Sequence, residues 1–173
     1  MTTAAVRQLP VVQEPIRLRC GHHIDLDEGE RAVLARLAAD LSITQIAGDT
    51  HTSISSTRSR LRDLRAKTAA ANWSQVVDTA CRARLLIPPP GRLTRPLAPP
   101  AVAAVQAVAH GATREAIAAQ QGVEASTISK RLAAVRFRMR TMGTPAAAFR
   151  LHGVPGILDD APLCPTCTRD GAP

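Results

Sequence analysis

Leu-Ser-Ile-Thr-Gln-Ile-Ala at residues 41–47 and Ser-Ser-Thr-Arg-Ser-Arg-Leu at residues 55–61 decide how this chain folds. Ile46 and Ala47 in the first segment, and Thr57 and Leu61 with the following Leu64 in the second, lie at the spacing of the inner face of a helix. Ser42 and Ser53 stand where a side-chain oxygen caps the start of a helix. The polar stretch 49–52 between them is typical of a turn. The pattern therefore predicts two short helices joined by a tight turn, with basic residues on the second.

The same pattern returns, without a gap, 71 residues later. Ala-Thr-Arg-Glu-Ala-Ile-Ala at 112–118 aligns with the first segment, and Ser-Thr-Ile-Ser-Lys-Arg-Leu at 126–132 aligns with the second. Repetition at a fixed offset indicates two copies of one structural unit. We therefore predict a mainly α-helical protein with two tandem four-helix domains, each containing a helix-turn-helix.

Apolar stripes and capping residues place four helices in each copy. In the first copy, Asp27 and Glu30 form a capping box for the first helix, and a fourth helix spans Asn72–Arg84. In the second copy, Pro99 and Pro100 open the first helix. The predicted boundaries are an N-terminal arm at 1–25, a first domain at 26–87, a proline-rich linker at 88–96, a second domain at 97–158 and a C-terminal tail at 159–173.

The remaining helix signals in the second copy follow the same logic. Thr113 caps its second helix, Gly122 makes the turn, and its fourth helix lies near Pro145–Leu151. The inward faces are predicted from residues at helical spacing. The predicted core of the first copy comprises Val33, Leu34, Leu37, Ala38, Ile46, Ala47, Thr57, Leu61, Leu64, Trp73, Val76, Val77 and Ala80. That of the second comprises Val102, Val105, Ala109, Ile117, Ala118, Ile128, Leu132, Val135 and Met139.

Both copies resemble the LuxR/NarL-type helix-turn-helix domain of bacterial response regulators. The resemblance implies four-helix domains in a cytoplasmic bacterial transcription regulator that binds double-stranded DNA through the third helix. It also implies pairing through the fourth helix, either within one chain as a pseudo-dimer or in a homodimer. The chain departs from the family because we expect two copies with no receiver or ligand-sensing domain, and because Gly48 and His51 interrupt the first copy.

The charge of the chain fits a polyanionic partner. The formal net charge is +8, and nearly all of the positive charge is arginine, which suits phosphate and guanine. The predicted DNA-binding residues of the first copy are Ser53, Ser55, Ser56, Arg58, Ser59, Arg60, Arg62, Arg65 and Lys67. Those of the second are Ser126, Thr127, Ser129, Lys130, Arg131, Arg136 and Arg138. On the third helix of the first copy, periodicity puts Ser55, Arg58, Ser59 and Arg62 on the groove face and Arg60, Arg65 and Lys67 on its flanks. The alternative is that any exposed helix of an arginine-rich protein looks like this. Phe137 is unexpected on a groove face, and the alternative for it is a place in the core.

The linker at 88–96 is rich in proline and basic residues, so we expect an extended connector of roughly 28 Å. With the width of a domain added, such a connector allows both third helices to reach major-groove half-sites about 34 Å apart on one duplex. In the opposing interpretation, only one copy binds DNA and the other contacts protein.

Two metal-binding knuckles are predicted near the termini. Cys20 with His23, and Cys164 with Cys167, have the spacing of structural zinc ligands, with His22 as the alternative to His23. Residues 16–19 and 24–26 alternate like short strands, so the first knuckle fits a small zinc hairpin that clamps the two ends. The other interpretation is an incidental or redox cysteine pair. Cys81 is expected to be a buried thiol.

Three classes of function compete. The first is a sequence-specific transcription regulator, and the second is an adaptor for RNA polymerase or a sigma factor. The third, an enzyme acting on DNA, is disfavoured because the sequence contains no clustered carboxylates, no Ser-His-Asp set and no glycine-rich phosphate loop. We also expect no signal peptide and no membrane span, and hence a cytoplasmic protein.

Overall fold

The computed structural model describes residues 24–158, and the regular secondary structure of this part of the chain is α-helix only, with no strand. The all-α class predicted from the sequence is thereby confirmed for these residues. None of their helices has the length and apolar character needed to cross a bilayer. The helices are α1 Glu28–Ala38, α2 Ile43–Asp49, α3 Ile54–Lys67, α4 Trp73–Arg82, α5 Pro99–Ala109, α6 Arg114–Gln121, α7 Ala125–Met139 and α8 Thr144–His152.

The 71-residue offset found in the sequence also separates the first residues of equivalent helices. Each helix of the second set begins 71 residues after its counterpart in the first, as the paired starts Glu28 and Pro99, Ile43 and Arg114, Ile54 and Ala125, and Trp73 and Thr144 show. The gapless alignment therefore describes two equivalent sets of four helices, α1–α4 and α5–α8.

The predicted capping residues account for where the helices begin. Asp27 forms a capping box at α1. Ser42 and Ser53 accept hydrogen bonds from the third backbone N–H of α2 and α3. Thr113 does the same for α6, and Gly122 ends that helix in the left-handed conformation, with φ of 62°. These caps satisfy N–H groups that would otherwise have no intrahelical partner.

Each set of helices has its own apolar core. Every residue predicted for the two cores is buried except Leu37, Trp73 and Val102, which are partly buried at the core edges. The first core also contains Ile24 and Leu26, so the chain is already packed before α1 begins. Residues 24–26 form no strand, and this arm of the expected hairpin is instead part of the helical core.

The two sets pack on each other reciprocally. α4 lies against α8, while α1 contacts α8 and its counterpart α5 contacts α4. The turn residue Asp40 accepts hydrogen bonds from the backbone N–H groups of Met142 and Gly143 at the start of α8, the latter at 2.8 Å. The counterpart of Asp40 is Gly111, which packs against Gln75 near the start of α4. Contacts exchanged in this way are the mark of an approximate two-fold relation.

Buried polar and apolar contacts complete this junction between the sets. Phe149 of α8 is 3% exposed and belongs to the core of the first set. Nε2 of His152 lies 3.0 Å from Oδ1 of Asp78, and both side chains are buried between α4 and α8. Asp78 also pairs with Arg82 one turn along α4. The two sets thus share side chains, and the fourth helices contact each other within one chain.

The linker at 88–96 is packed against the second set of helices. Residues 88–96 are not helical, but the Gly91 N–H donates a hydrogen bond to the carbonyl of Gly153 at 2.8 Å. Leu93 packs against the core of the second set. The linker is therefore folded back along the end of α8, because its apolar side chain and its backbone find partners there.

We expect Gly153→Ala to release the linker from α8. A Cβ at Gly153 would lie 2.1 Å from the carbonyl oxygen of Pro89, which backbone atoms cannot accommodate without moving. Limited trypsin digestion after Arg92 should therefore become faster. Gly48→Ala is the matched control, since no atom lies within 4 Å of a Cβ there. Equal cleavage rates in the two variants would contradict the docked linker.

Candidate nucleic-acid interface

The outer face of α3 is exposed and cationic. Arg58 and Arg62 are exposed, and the Arg58 side chain has no hydrogen-bond or ion-pair partner within residues 24–158. Arg62 Nη2 lies 3.1 Å from Oγ of Ser59, a single contact that leaves most of its donors open. Ser55 is exposed on the same face. The inward residues of α3 are buried in the first core, so this face is the one that α3 presents to a partner.

The start of α3 is fixed by two of the predicted serines. Ser53 Oγ accepts a hydrogen bond from the Ser56 N–H at 3.0 Å, and the two hydroxyls lie 2.9 Å apart. Both side chains are exposed. Their hydroxyls therefore stabilise the first turn of α3 and remain accessible beside it.

The other three cations predicted on α3 contact neighbouring parts of the chain, Arg65 and Lys67 through hydrogen bonds and Arg60 by packing alone. Arg65 donates to the carbonyl of Ala71 at 2.7 Å and lies over the Trp73 ring, 5.3 Å from its centroid. The Arg60 guanidinium lies over Gly29 of α1. Lys67 Nζ is 2.7 Å from Oε2 of the buried Glu30. Arg58 and Arg62 are thus the freest cations of α3.

The hydrogen bond to Glu30 raises the pKa of Lys67, although partial desolvation opposes the shift. A raised lysine pKa means that the pair contributes stability at neutral pH and loses it as the pH rises through the folded-state pKa. Lys67 also donates to the carbonyl of Asp25 at 3.0 Å. Its ammonium therefore ties the end of α3 to the residues that precede α1.

We expect Lys67→Met to destabilise the fold more than it weakens any binding of duplex DNA. The substitution leaves the carboxylate of Glu30 buried without its cation, which destabilises the fold. The melting temperature at pH 7 should fall by a few degrees, and the difference from wild type should shrink at alkaline pH. Duplex affinity should fall no further than in Arg92→Ala, which removes one exposed charge from the linker. A larger loss of affinity would show that Lys67 contacts DNA directly.

The outer face of α7 is polar at its start and cationic along its length. Ser126 bonds to Glu124 at 3.1 Å, and the Ser129 hydroxyl donates to the Ala125 carbonyl at 3.1 Å. Thr127 is half-buried. The cations divide by environment: Lys130 and Arg138 are exposed, Arg131 bonds to Gln121, and Arg136 is half-buried.

Phe137 belongs to the exposed face of α7 and not to the core. Its side chain is 82% exposed, and Met142, just beyond the end of α7, is 85% exposed. The inward stripe of α7 is complete without Phe137, because Val135 and Met139 fill the core positions on either side. The core interpretation of Phe137 is therefore wrong.

Two clefts that open beside these faces were not anticipated from the sequence. One, of about 390 Å³, is lined by Arg58, Arg62, Arg65 and Trp73 among others. The other, of about 550 Å³, lies between the two sets of helices and is lined by residues of α4, α6, α7 and α8. Trp73 lines both. The sequence placed Trp73 only on the fourth helix, and no local signal indicates that α6 and α7 of the other set lie beside it.

The predicted zinc ligands Cys20, His22, His23, Cys164 and Cys167 lie outside residues 24–158, so zinc stays a prediction. Within that range, no group of three His, Cys, Asp or Glu side chains could hold a metal ion. Cys81 is partly buried, and burial, with a smaller contribution from Asp78, raises the pKa of its thiol. A thiol in this environment stays protonated and unreactive.

Comparison of the chain with protein-family models, with curated proteins and with solved structures finds no match. What the protein does must therefore follow from its own residues.

Proposed function

We propose that this protein is a sequence-specific transcription regulator that binds double-stranded DNA and reads two major-groove half-sites with α3 and α7. The observation that carries the proposal is the outer face of α3. There, Arg58 and Arg62 are exposed and largely unpaired among short polar side chains. Short side chains let a helix backbone approach the groove floor, and arginine reaches the O6 and N7 acceptors of guanine.

The contact assigned to each residue follows from how exposed its side chain is and how few partners it has within the protein. Arg58 and Arg62 make base contacts, and Ser55 and Ser59 bond to base edges or nearby phosphates. On α7, Lys130 and Arg138 are exposed and contact phosphates, while Phe137 offers an apolar contact to a thymine methyl group. The first set then supplies most of the base readout, and the second supplies a denser set of cations.

The reciprocal packing of the two sets determines the expected form of the DNA site. A protein with two-fold symmetry reads inverted half-sites, because operator symmetry mirrors protein symmetry. Since α3 and α7 differ in sequence, the two half-sites should be inverted in orientation but unequal in sequence. We expect their centres to lie about one helical turn apart.

Selection from a pool of random duplexes tests the proposal. The expected result is enrichment of sites with two inverted, unequal half-sites, bound by a single chain, with an affinity that falls steeply as salt rises. Enrichment of one half-site alone would indicate that only one set reads DNA. Absence of any enriched sequence, together with binding that does not depend on salt, would refute the proposed function.

A second candidate function is supported by a specific observation. Phe137 and Met142 are both more than four-fifths exposed, and apolar side chains in such positions often serve protein contacts. An adaptor for RNA polymerase or a sigma factor would use this region of the surface. Tight binding of purified polymerase by a chain without affinity for duplex DNA would favour the adaptor, and loss of that binding in Phe137→Ser would locate it.

A further inference from the structure

The cleft between the two sets of helices contains two cations that the fold leaves largely unused. Arg136 of α7 lines it, and its side chain has no hydrogen-bond or ion-pair partner among the described residues. Arg114 at the start of α6 lines it too, and its only contact of this kind is a long one, 3.5 Å, to the hydroxyl of Ser129. One carboxylate, that of the exposed Glu115, lines the cleft with them.

The cleft lies where the starts of α4 and α8 meet. Trp73 and Thr144, which are equivalent residues of α4 and α8, both line it. Arg136 is the equivalent of Arg65, which lies over the same Trp73 ring. Trp73 joins this cleft to the one beside Arg58 and Arg62 on α3. The cleft therefore adjoins the α3 cleft at Trp73 and borders the α7 face at Ser129.

We propose that this cleft receives backbone phosphates at the centre of the DNA site, with Arg136 and Arg114 as the residues that bind them. The inference rests on the proposed function and adds a contact between the half-sites. When two helices occupy successive major grooves on one face of a duplex, the segment facing the protein between them is the minor groove with its two rows of phosphates. Two guanidinium groups with open donors suit those phosphates.

The volume and lining of the cleft also suit a small phosphorylated molecule, whose phosphate the same arginines would bind. The DNA backbone is favoured because the cleft shares Trp73 with the α3 cleft and carries Ser129 of the α7 face in its wall. A ligand at this position would lie in the path of a duplex that spans both helices. The salt dependence of duplex affinity and the fluorescence emission of Trp73 together distinguish the DNA backbone from a small phosphorylated molecule.

The test compares wild type with Arg136→Ala, Arg114→Ala and the charge-matched control Arg92→Ala, an exposed linker residue at the opposite end of α8. Duplex affinity is measured by anisotropy over a range of salt concentrations, on the selected site and on random duplex. Each cleft variant should weaken both complexes to a similar extent, because phosphates carry no sequence information. Each should also reduce the slope of log affinity against log salt by about 0.9 for every phosphate that the variant no longer neutralises.

Salt slopes in the cleft variants equal to that of Arg92→Ala would overturn the inference and leave the proposed function intact. A wild-type protein without salt-sensitive duplex binding would overturn both. Trp73 is the only tryptophan of the chain, so its emission reports on the cleft. If inorganic phosphate at constant ionic strength changes that emission saturably, and Arg136→Ala abolishes the change without altering the salt slope, the cleft binds a small phosphate compound and not DNA.

Discussion

Phe149→Ala is expected to destabilise the whole described part of the chain by about 3–5 kcal/mol, the usual cost of deleting a buried phenylalanine. Phe149 is carried by α8 but is 3% exposed in the core of the first set. Removing its ring leaves a cavity in that core and weakens the contact between the two sets. Because domains of this size have about 5–15 kcal/mol of stability in total, the loss is large. Chemical denaturation followed by far-ultraviolet circular dichroism measures it.

Phe137→Ala is the matched control, since Phe137 is the only other phenylalanine and is 82% exposed. It should change the free energy of unfolding by no more than about 0.5 kcal/mol. Both variants should unfold in one transition, because the sets share Phe149 and the buried pair of Asp78 and His152. Two separate transitions, with only the first set destabilised in Phe149→Ala, would show that the sets fold independently.

The helices of this protein could be predicted because their signals are local. Asp27, Ser42, Ser53 and Thr113 each cap a helix within three residues along the chain, and apolar residues at helical spacing mark the inner faces. Because the pattern repeats after 71 residues, the helices of the second set could be predicted by alignment with those of the first. Local propensity, capping and patterning agree at each of these positions, which makes prediction from sequence reliable.

The contacts between the two sets could not be predicted because they join residues far apart in the sequence, and those residues have no unusual local pattern. Asp40 is an ordinary turn residue in the sequence, yet its carboxylate binds N–H groups at the start of α8, more than a hundred residues away. Asp78 looks like a surface residue of an amphipathic helix, yet it is 1% exposed beside His152. The hypothesis of a pseudo-dimer predicted that α4 pairs with α8, but not which of their residues make contact.

The sequence predicted which face of α3 forms the candidate site, but not which contacts its flanking cations make within the protein. Helical periodicity placed Arg58 and Arg62 on the outer face of α3 and Arg60, Arg65 and Lys67 on its flanks. The structure adds that Arg65 and Lys67 have hydrogen-bond partners within the chain and that Arg60 packs against Gly29. Helical periodicity gives the direction of a side chain but not what lies beside it. The partners of the engaged cations come from α1 and from the loop before α4, and no spacing in the sequence indicates those contacts.

Arg58→Ala and Arg62→Ala are expected to have the largest effects on DNA recognition. Each well-formed contact between arginine and guanine is worth about 1–3 kcal/mol, or roughly 5- to 150-fold in affinity. The loss should fall on the selected site and much less on random duplex, so the ratio of the two affinities should decrease. A repeat of the random-duplex selection with each variant measures which base positions lose their preference.

Arg138→Ala provides the comparison, because Arg138 is an exposed cation on the second set and is assigned to phosphate. It should weaken the selected and random complexes equally and leave the selected sequence unchanged. The double variant Arg58→Ala, Arg62→Ala should retain salt-dependent binding through its remaining cations while losing preference in one half-site only. The preference of the other half-site is kept by α7. If the double variant selects the wild-type sequence, α3 does not read bases, and the exposed arginines of its outer face serve another partner.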